Sequence, residues 1–173
     1  MTKTVLVVEE DATMRSTLSE ALMDAKYSVV KAADGKSALQ NFHEFKPDIA
    51  VLDFEISDVD GLELCRQIRS FRNIPIIFTN GNDSEIDQLQ AFASGADDYL
   101  TKPFNLEELL LRVGKLIQKS NVTAQVVSNM QSYSFAGHTI DFDSLEVKLA
   151  SGTSIQLTKT EGLLLKLLIE NKN

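Results

Sequence analysis

Short apolar runs alternate with amphipathic stretches along the first 119 residues of the chain. The apolar runs are rich in Val, Ile and Leu, which is typical of strands buried on both faces of a parallel sheet. They predict strands over Val5–Val8, Tyr27–Ala32, Ile49–Leu52, Ile74–Phe78 and Tyr99–Thr101. The stretches between them place apolar residues at helical spacing. They predict helices over Ala12–Ala25, Gly35–Phe45, Gly61–Ser70, Glu85–Ser94 and Leu106–Lys119.

The order of these elements predicts the fold class. Strands that follow one another through a single helix run parallel, and their right-handed crossovers place helices on both faces of the sheet. The chain is therefore predicted to begin with an α/β fold, a doubly wound five-stranded parallel sheet. Single residues predict helix ends as well: Asp83 or Ser84 would cap the fourth helix, Gly95 would follow it, and Asn105 would cap the fifth.

The pattern changes after residue 119. Residues 120–131 are polar and lack helical spacing, so they predict a linker. Short alternating segments broken by Gly137, Ser144 and Gly152 then predict an antiparallel meander. The last stretch predicts a helix, because Thr158 and Glu161 form the T-x-x-E pattern of a capping box before a leucine-rich run.

Composition and charge narrow the class of protein. The content of 43% hydrophobic and 24% charged residues is that of an ordinary globular chain, and no apolar run approaches the length of a membrane span. A lone cysteine, Cys65, excludes an internal disulfide and predicts a reducing cytoplasm, with the thiol buried as a small apolar group. Residues 1–119 hold 20 Asp and Glu against 13 Lys and Arg, which disfavours nucleic-acid binding and favours a cation.

Charged and amide side chains stand where the predicted strands end. A doubly wound sheet places its functional residues outside the carboxyl ends of its strands. Glu9 and Glu10 follow the first strand, Asp53 the third, Asn80 the fourth and Lys102 the fifth. Carboxylates held together repel one another unless a cation or a proton intervenes, and Mg²⁺ prefers such oxygen ligands. The sequence therefore predicts an acidic Mg²⁺ site that faces a lysine.

Residues 3–119 resemble the receiver domain of bacterial two-component response regulators. The resemblance is carried by VLVVEEDATMR, PDIAVLDFEISDVDGLELCRQIR, IPIIFTNGNDSEIDQLQAFASGADDYLTKPF and NLEELLLRV. It implies a CheY-like sheet in the order 2-1-3-4-5. It also implies that Asp53 accepts a phosphoryl group from a sensor histidine kinase, that Glu9, Glu10, Asp53 and the carbonyl of Glu55 hold Mg²⁺, and that Lys102 contacts the phosphoryl oxygens.

The same resemblance implies a conformational switch. Tyr99 would be the aromatic switch residue, which turns inward after phosphorylation, and Asn80 would take the place of the hydroxyl residue that contacts the phosphoryl group. The peptide bond between Lys102 and Pro103 would be cis.

The chain departs from the usual receiver pattern in three ways. Both members of the acid pair, Glu9 and Glu10, are Glu where Asp is usual, so each carboxylate reaches about 1.5 Å further. Asn80 stands where Thr or Ser is usual, and the neighbouring Thr79 is predicted to point to the other face of the sheet. Ser57 stands where Pro is frequent.

Residues 132–173 resemble the beginning of the winged-helix effector domain of the OmpR/PhoB subfamily. The subfamily's recognition helix and wing have no counterpart here, so no sequence-specific DNA binding is expected of this chain. The subfamily also implies a homodimer through the fourth helix, fifth strand and fifth helix, with Asp97, Asp98, Glu108 and Arg112 on that face. The apolar residues of the last helix predict self-association or disorder of this segment, and they are Leu163, Leu164, Leu165, Leu167, Leu168 and Ile169.

Three functional hypotheses remain open at this point. The first is a cytoplasmic response regulator, phosphorylated on Asp53, that controls dimerisation and transcription and is no enzyme beyond releasing its own phosphoryl group. The second is an atypical receiver that acts as a phosphorylation-independent dimerisation or interaction module. The third is a small Mg²⁺-dependent phosphatase with Asp53 as nucleophile, although Glu55 is a poor substitute for the general acid that this reaction needs.

Overall fold

The structure is a computed structural model that describes residues 2–82, 84–129 and 131–170, without the side chains of residues 121–129, 159, 160, 163, 167 and 170. Two compact units are present, Met1–Ser120 and Asn121–Asn173. In the described part of the chain, no helix combines the length and the apolar character that crossing a membrane requires.

Five strands and five helices alternate in the first unit, which confirms the predicted fold class. The strands are β1 (Thr4–Val8), β2 (Ser28–Ala32), β3 (Ile49–Asp53), β4 (Ile76–Asn80) and β5 (Asp98–Thr101). The helices are α1 (Ala12–Asp24), α2 (Gly35–Phe45), α3 (Gly61–Phe71), α4 (Glu85–Ala93) and α5 (Leu106–Asn129). All strand pairs are parallel, and the sheet order β2-β1-β3-β4-β5 is the one that the resemblance implied.

Both faces of the sheet are covered because each inner strand is apolar on both sides. Along β1, Leu6 and Val8 belong to one buried cluster, whereas Val5 and Val7 belong to another. The second cluster includes Leu109 from α5. Because the strands are parallel and their order reverses next to β1, their carboxyl ends share one edge with space for a site.

Two predicted boundaries are wrong. Strand β4 is Ile76–Asn80 rather than Ile74–Phe78, because Pro75 has no N–H and can only accept a bond, from the amide of Ala50. The linker predicted over residues 120–131 is helical as far as Asn129, since it contains neither Pro nor Gly and extending an existing helix needs no new nucleus.

The predicted helix ends agree with the structure where it describes them. Ser84 caps α4 and accepts the N–H of Asp87, while the other candidate, Asp83, lies outside the described residues. Gly95 follows α4 with φ +105°, and the carboxamide of Asn105 accepts the N–H of Glu107 at 2.8 Å. The peptide bond between Lys102 and Pro103 is cis.

The second unit pairs an antiparallel sheet with one helix. Its strands, in the order β6-β7-β8-β9, are Ser132–Phe135, His138–Asp141, Glu146–Lys148 and Ser154–Gln156. Helix α6 spans Lys159–Glu170, and residues 171–173, predicted to continue it, lie outside the described residues. The capping box is formed: Thr158 N donates to Glu161 Oε2 at 2.8 Å, and Glu161 N donates to Thr158 Oγ1 at 3.3 Å.

Candidate functional site

The carboxyl edge of the parallel sheet gathers the predicted residues. Glu9 directly follows β1, Asp53 and Asn80 are the last residues of β3 and β4, and Lys102 directly follows β5. Glu9, Asp53 and Asn80 are only 2%, 6% and 0% exposed, respectively. Burial of two acidic side chains at one edge of a sheet calls for a neutralising partner.

Lys102 provides that partner. Its Nζ donates to Glu9 Oε2 at 2.6 Å and to Asp53 Oδ2 at 2.9 Å, so one ammonium joins the two carboxylates. Burial would lower the pKa of Lys102, but the bonds with Glu9 and Asp53 outweigh it and raise that pKa. Burial raises the pKa of Glu9, and the bond from Lys102 offsets this only in part.

Glu10, the second member of the acid pair, has a different partner from Glu9. Its side chain is exposed, and its Oε1 accepts both Ser57 N, at 2.6 Å, and Ser57 Oγ, at 2.5 Å. The bonds from the Ser57 hydroxyl and N–H lower the pKa of Glu10. The side chain of Glu55 is also exposed, and its N–H lies 3.4 Å from Asp53 Oδ1.

The donor chemistry at this edge suits Mg²⁺ in part. Glu9 and Asp53 supply hard carboxylate oxygens that already converge on one positive charge, the ammonium of Lys102. Within the described ranges, however, no three His, Cys, Asp or Glu side chains are grouped as metal ligands. Glu9 and Asp53 are therefore the predicted metal ligands that the structure brings together, and the roles of Glu10 and of the Glu55 carbonyl stay predictions.

The side chain of Asn80 bonds to residues at the start of α4. Its Nδ2 donates to Asp87 Oδ2 at 3.2 Å, and its Oδ1 accepts the N–H of Asn82 at 3.1 Å. The amide of Asn82 lies 3.4 Å from the same Asp87 oxygen. These contacts connect the end of β4 with the first turn of α4.

Tyr99, the predicted switch residue, is only 7% exposed. Its hydroxyl donates to the carbonyl of Asn82 at 3.2 Å, and its ring meets Phe54, the residue after Asp53, edge to face at 6.5 Å. The ring is therefore buried, and the role of Tyr99 as a switch stays a prediction.

The side chains expected on a dimer face have partners within the same chain. Arg112 Nη1 lies 2.8 Å from both oxygens of Asp98, and Arg112 Nη2 lies 2.6 Å from Glu108 Oε1. Asp97 pairs with Arg69 and accepts the N–H of Ile76 at 2.8 Å. Pairing across a two-fold axis stays a prediction.

The sequence pattern does not reveal the partners of Asp58, Asn80 and Ser57. Asp58 accepts the N–H groups of Gly35 at 2.7 Å and Lys36 at 3.1 Å, at the start of α2. Asp87 was missed as the partner of Asn80, although Ser84 and Asp87 have the spacing of a capping box. Ser57 was noted only for replacing Pro, but that replacement also restores an N–H beside the acid pair.

Known proteins resemble the chain over nearly its whole length. The family model "Response regulator receiver domain" matches residues 5–114. Sensory transduction protein BceR of Halalkalibacterium halodurans is 33% identical, a match that covers 98% of this chain and 72% of that protein. Response regulator MprA of Mycobacterium ulcerans is 37% identical, with 99% of this chain and 74% of that protein covered.

Solved structures agree with these relatives. The crystal structure of response regulator DrrB, described as a Thermotoga maritima OmpR/PhoB homologue, has a TM-score of 0.64 and 31% identity. The match covers 99% of this chain and 74% of that one. A CheY-like receiver domain protein from Methanospirillum hungatei has a TM-score of 0.67 over 70% of this chain and 98% of its own, and at 24% identity it supports the fold alone.

Proposed function

The chain belongs to the response regulators with a receiver domain, and from this premise we propose that Asp53 accepts a phosphoryl group from a sensor histidine kinase. One observation carries the proposal: Asp53 is nearly buried at the carboxyl edge of the sheet, with the ammonium of Lys102 at 2.9 Å. Phosphoryl transfer depends on positioning and on charge neutralisation far more than on proton transfer. A carboxylate paired with a lysine meets both needs.

In the proposed reaction, a carboxylate oxygen of Asp53 bonds to phosphorus while the bond from phosphorus to the donor histidine nitrogen breaks. Lys102 then exchanges its bond to the Asp53 carboxylate for the phosphoryl oxygens. Mg²⁺, held by Glu9, Glu10, Asp53 and the carbonyl of Glu55, would supply further neutralisation of these oxygens. Water would later hydrolyse the acyl phosphate on Asp53 and release inorganic phosphate. We propose no other catalytic activity for this chain.

The output that we propose is dimerisation in the cytoplasm through α4, β5 and α5, followed by control of transcription. Exposed apolar side chains on α4 support this surface, since Ile86 and Leu89 are 67% and 68% exposed. DNA binding belongs to the OmpR/PhoB type of regulator as a whole. Sequence-specific DNA binding by these 173 residues is not part of the proposal.

Intact mass spectrometry tests the phosphoacceptor. We expect the chain to gain one phosphoryl group with Mg²⁺ and a small-molecule phosphodonor, and Asp53→Ala to gain none. Glu63→Gln, which changes an exposed carboxylate on α3, is the matched control and is expected to gain the group. An unmodified wild-type chain, beside a receiver that the same donor does modify, would refute the proposal.

A second candidate function is a phosphorylation-independent interaction module. It is favoured by the side chain of Asn80, which is hydrogen-bonded to Asp87 and to the N–H of Asn82 within the chain. Failure to gain the group, together with dimers that form without any donor, would select this candidate.

A further inference from the structure

A buried hydroxyl without a partner lies on the strand next to Asp53. Thr79 is 1% exposed, and among the described residues its Oγ1 is the buried side-chain polar atom that has no hydrogen-bond partner. Buried polar groups are nearly always hydrogen-bonded, and an unsatisfied one destabilises the fold. A valine of nearly the same shape would avoid this cost, so the hydroxyl points to a role outside the packing of the core.

The strand register places this hydroxyl beside the proposed phosphoacceptor. Thr79 of β4 pairs with Asp53 of β3 in the parallel register. Alternate residues of a strand share one face of the sheet. Val51 and Ile77, each two positions earlier, belong to the same buried cluster. Asp53 and Thr79 therefore lie side by side on one face, on strands that are about 4.8 Å apart.

Asn80 lies on the other face of the sheet. Phe78, two positions before it, belongs to the other buried cluster. The Asn80 side chain is bonded to Asp87 and to the N–H of Asn82. In contrast, the Thr79 hydroxyl has no bond of this kind to break before it donates to a new acceptor.

The backbone fixes Thr79 at this place in the sheet. Its carbonyl accepts the N–H of Phe54, the residue after Asp53, at 2.8 Å. Both oxygens of Asp53 have other donors, with Lys102 Nζ at 2.9 Å from one and the Glu55 N–H at 3.4 Å from the other. A phosphoryl group on Asp53 would add negative charge and further oxygen acceptors beside the hydroxyl.

We propose that the hydroxyl of Thr79 donates a hydrogen bond to a phosphoryl oxygen of the acyl phosphate on Asp53. The inference rests on the proposed function and adds a contact residue to it. Lys102 supplies the positive charge at this group, and Thr79 supplies a neutral donor from the neighbouring strand. Hydrogen bonds to charged oxygens are strong, so the bond offsets the cost of burying the hydroxyl.

Beryllofluoride, a tetrahedral mimic of the phosphoryl group, is the probe for this contact. Fluorine NMR titrations of the full chain, with magnesium in constant excess, measure its affinity. Thr79→Val keeps the shape of the side chain and removes the donor. It should weaken binding by about tenfold or more, as expected for the loss of a hydrogen bond to a charged group. Thr79→Ser keeps the hydroxyl and should bind nearly as tightly as the wild type.

Urea unfolding without the probe separates this contact from a purely structural role. Thr79→Val should raise the unfolding midpoint, because the unsatisfied hydroxyl is removed. Ser19→Ala is the matched control, since Ser19 is also buried but its hydroxyl donates to the Arg15 carbonyl at 2.6 Å. This variant should lower the midpoint and leave the affinity for beryllofluoride unchanged.

Equal affinities of the wild type and Thr79→Val would overturn the inference and leave Asp53 as the phosphoacceptor. Thr79→Ser binding as weakly as Thr79→Val would do the same. A lower unfolding midpoint in Thr79→Val would show that the hydroxyl already stabilises the unmodified chain, which also contradicts the inference. A wild-type chain that neither binds beryllofluoride nor gains a phosphoryl group by intact mass would refute the proposed function and this inference together.

Discussion

Among single residues, Lys102 determines how the acidic pocket is held together. Its Nζ donates to both Glu9 and Asp53, and its side chain is 19% exposed. A buried carboxylate without such a partner would lose its hydration, and no ion pair would compensate for that cost. In the proposed reaction, the same ammonium is the group that contacts the phosphoryl oxygens.

Asp48 offers a pH-dependent test at the same scale. Burial alone would raise the pKa of Asp48, but its bonds with Lys3 Nζ at 2.9 Å and Thr4 N at 2.8 Å lower it. A carboxyl group with a lowered pKa in the folded state stabilises the fold above its unfolded pKa, and this contribution is lost as the pH falls through the folded pKa.

Asp48→Asn should therefore lower the free energy of unfolding by about 1 kcal/mol at neutral pH, since the carboxylate is only partly buried. The difference from the wild type should shrink as the pH falls below the unfolded pKa of Asp, about 3.9. Urea unfolding of both proteins over a series of pH values measures it. A difference that stays constant down to acid pH would contradict the assignment.

Among the elements, the loop from β3 to α3 is fixed by backbone contact at Gly61. A Cβ on Gly61 would lie 2.6 Å from the carbonyl oxygen of Phe54 and 2.9 Å from that of Asp53. These are backbone atoms of Asp53 and the residue after it, so they cannot rotate away as a side chain would. The loop that carries Ser57 is thereby held against the end of β3.

Gly61→Ala should destabilise the fold by about 1–3 kcal/mol, because the added methyl group overpacks against backbone. It should also displace the loop and slow the phosphorylation of Asp53. Gly81→Ala is the matched control, since no atom lies within 4 Å of its added Cβ, and its stability should change by about 0.5 kcal/mol or less. Thermal or urea unfolding compares the two, and equal effects would contradict the steric argument.

The hydroxyl of Tyr99 is hydrogen-bonded at the junction of β4 with α4. Asn80 and Asn82 both bond to Asp87, and the carbonyl of Asn82 accepts the Tyr99 hydroxyl. Because these contacts involve no phosphoryl group, we expect Tyr99 to stay inward whether or not Asp53 is modified.

Tyrosine fluorescence measures this, because the chain has no Trp and only three Tyr. In a Tyr27→Phe/Tyr133→Phe background, quenching by acrylamide reports Tyr99 alone. Asp87→Ala should increase quenching, whereas Gln88→Ala, an exposed neighbour on α4, should not. Protection that appears only after a phosphodonor is added would show a conventional switch instead.

In the whole molecule, apolar surface is exposed on both units. On the second unit, a groove of about 240 Å³ lies between the sheet and α6, lined by Tyr133, Phe135, Ile140, Leu165, Leu168 and Ile169. Leu164 and Leu168 are 56% and 61% exposed, while the side chains of Leu163 and Leu167 lie outside the described residues. Exposed apolar surface of this kind tends to find a partner.

We expect the chain to self-associate as its concentration rises and Leu168→Glu to reduce that association. Leu89 of α4 is 68% exposed, so Leu89→Glu tests whether the apolar surface of the first unit contributes to association. It also introduces the same charge as Leu168→Glu. Light scattering over a concentration series measures both variants. A strict monomer at every concentration, or an unchanged Leu168→Glu variant, would contradict the role of α6.

The sequence by itself determined the order and type of the elements and the gathering of Glu9, Asp53, Asn80 and Lys102 at one edge. These follow from local periodicity and from the fact that parallel strands end together. Helix caps such as those of Ser84 and Thr158 are equally local, because the donor and the acceptor lie within one turn.

Only the tertiary structure decided which partner each polar side chain takes. Lys102 joins Glu9 to Asp53, Glu10 turns to Ser57, Arg112 takes Asp98, and Asn80 takes Asp87. Long side chains have several rotamers of similar energy, and the choice among them depends on loops that are distant in sequence. The strand pattern therefore predicts which residues line the pocket. The fold decides which of their charged side chains pair with one another.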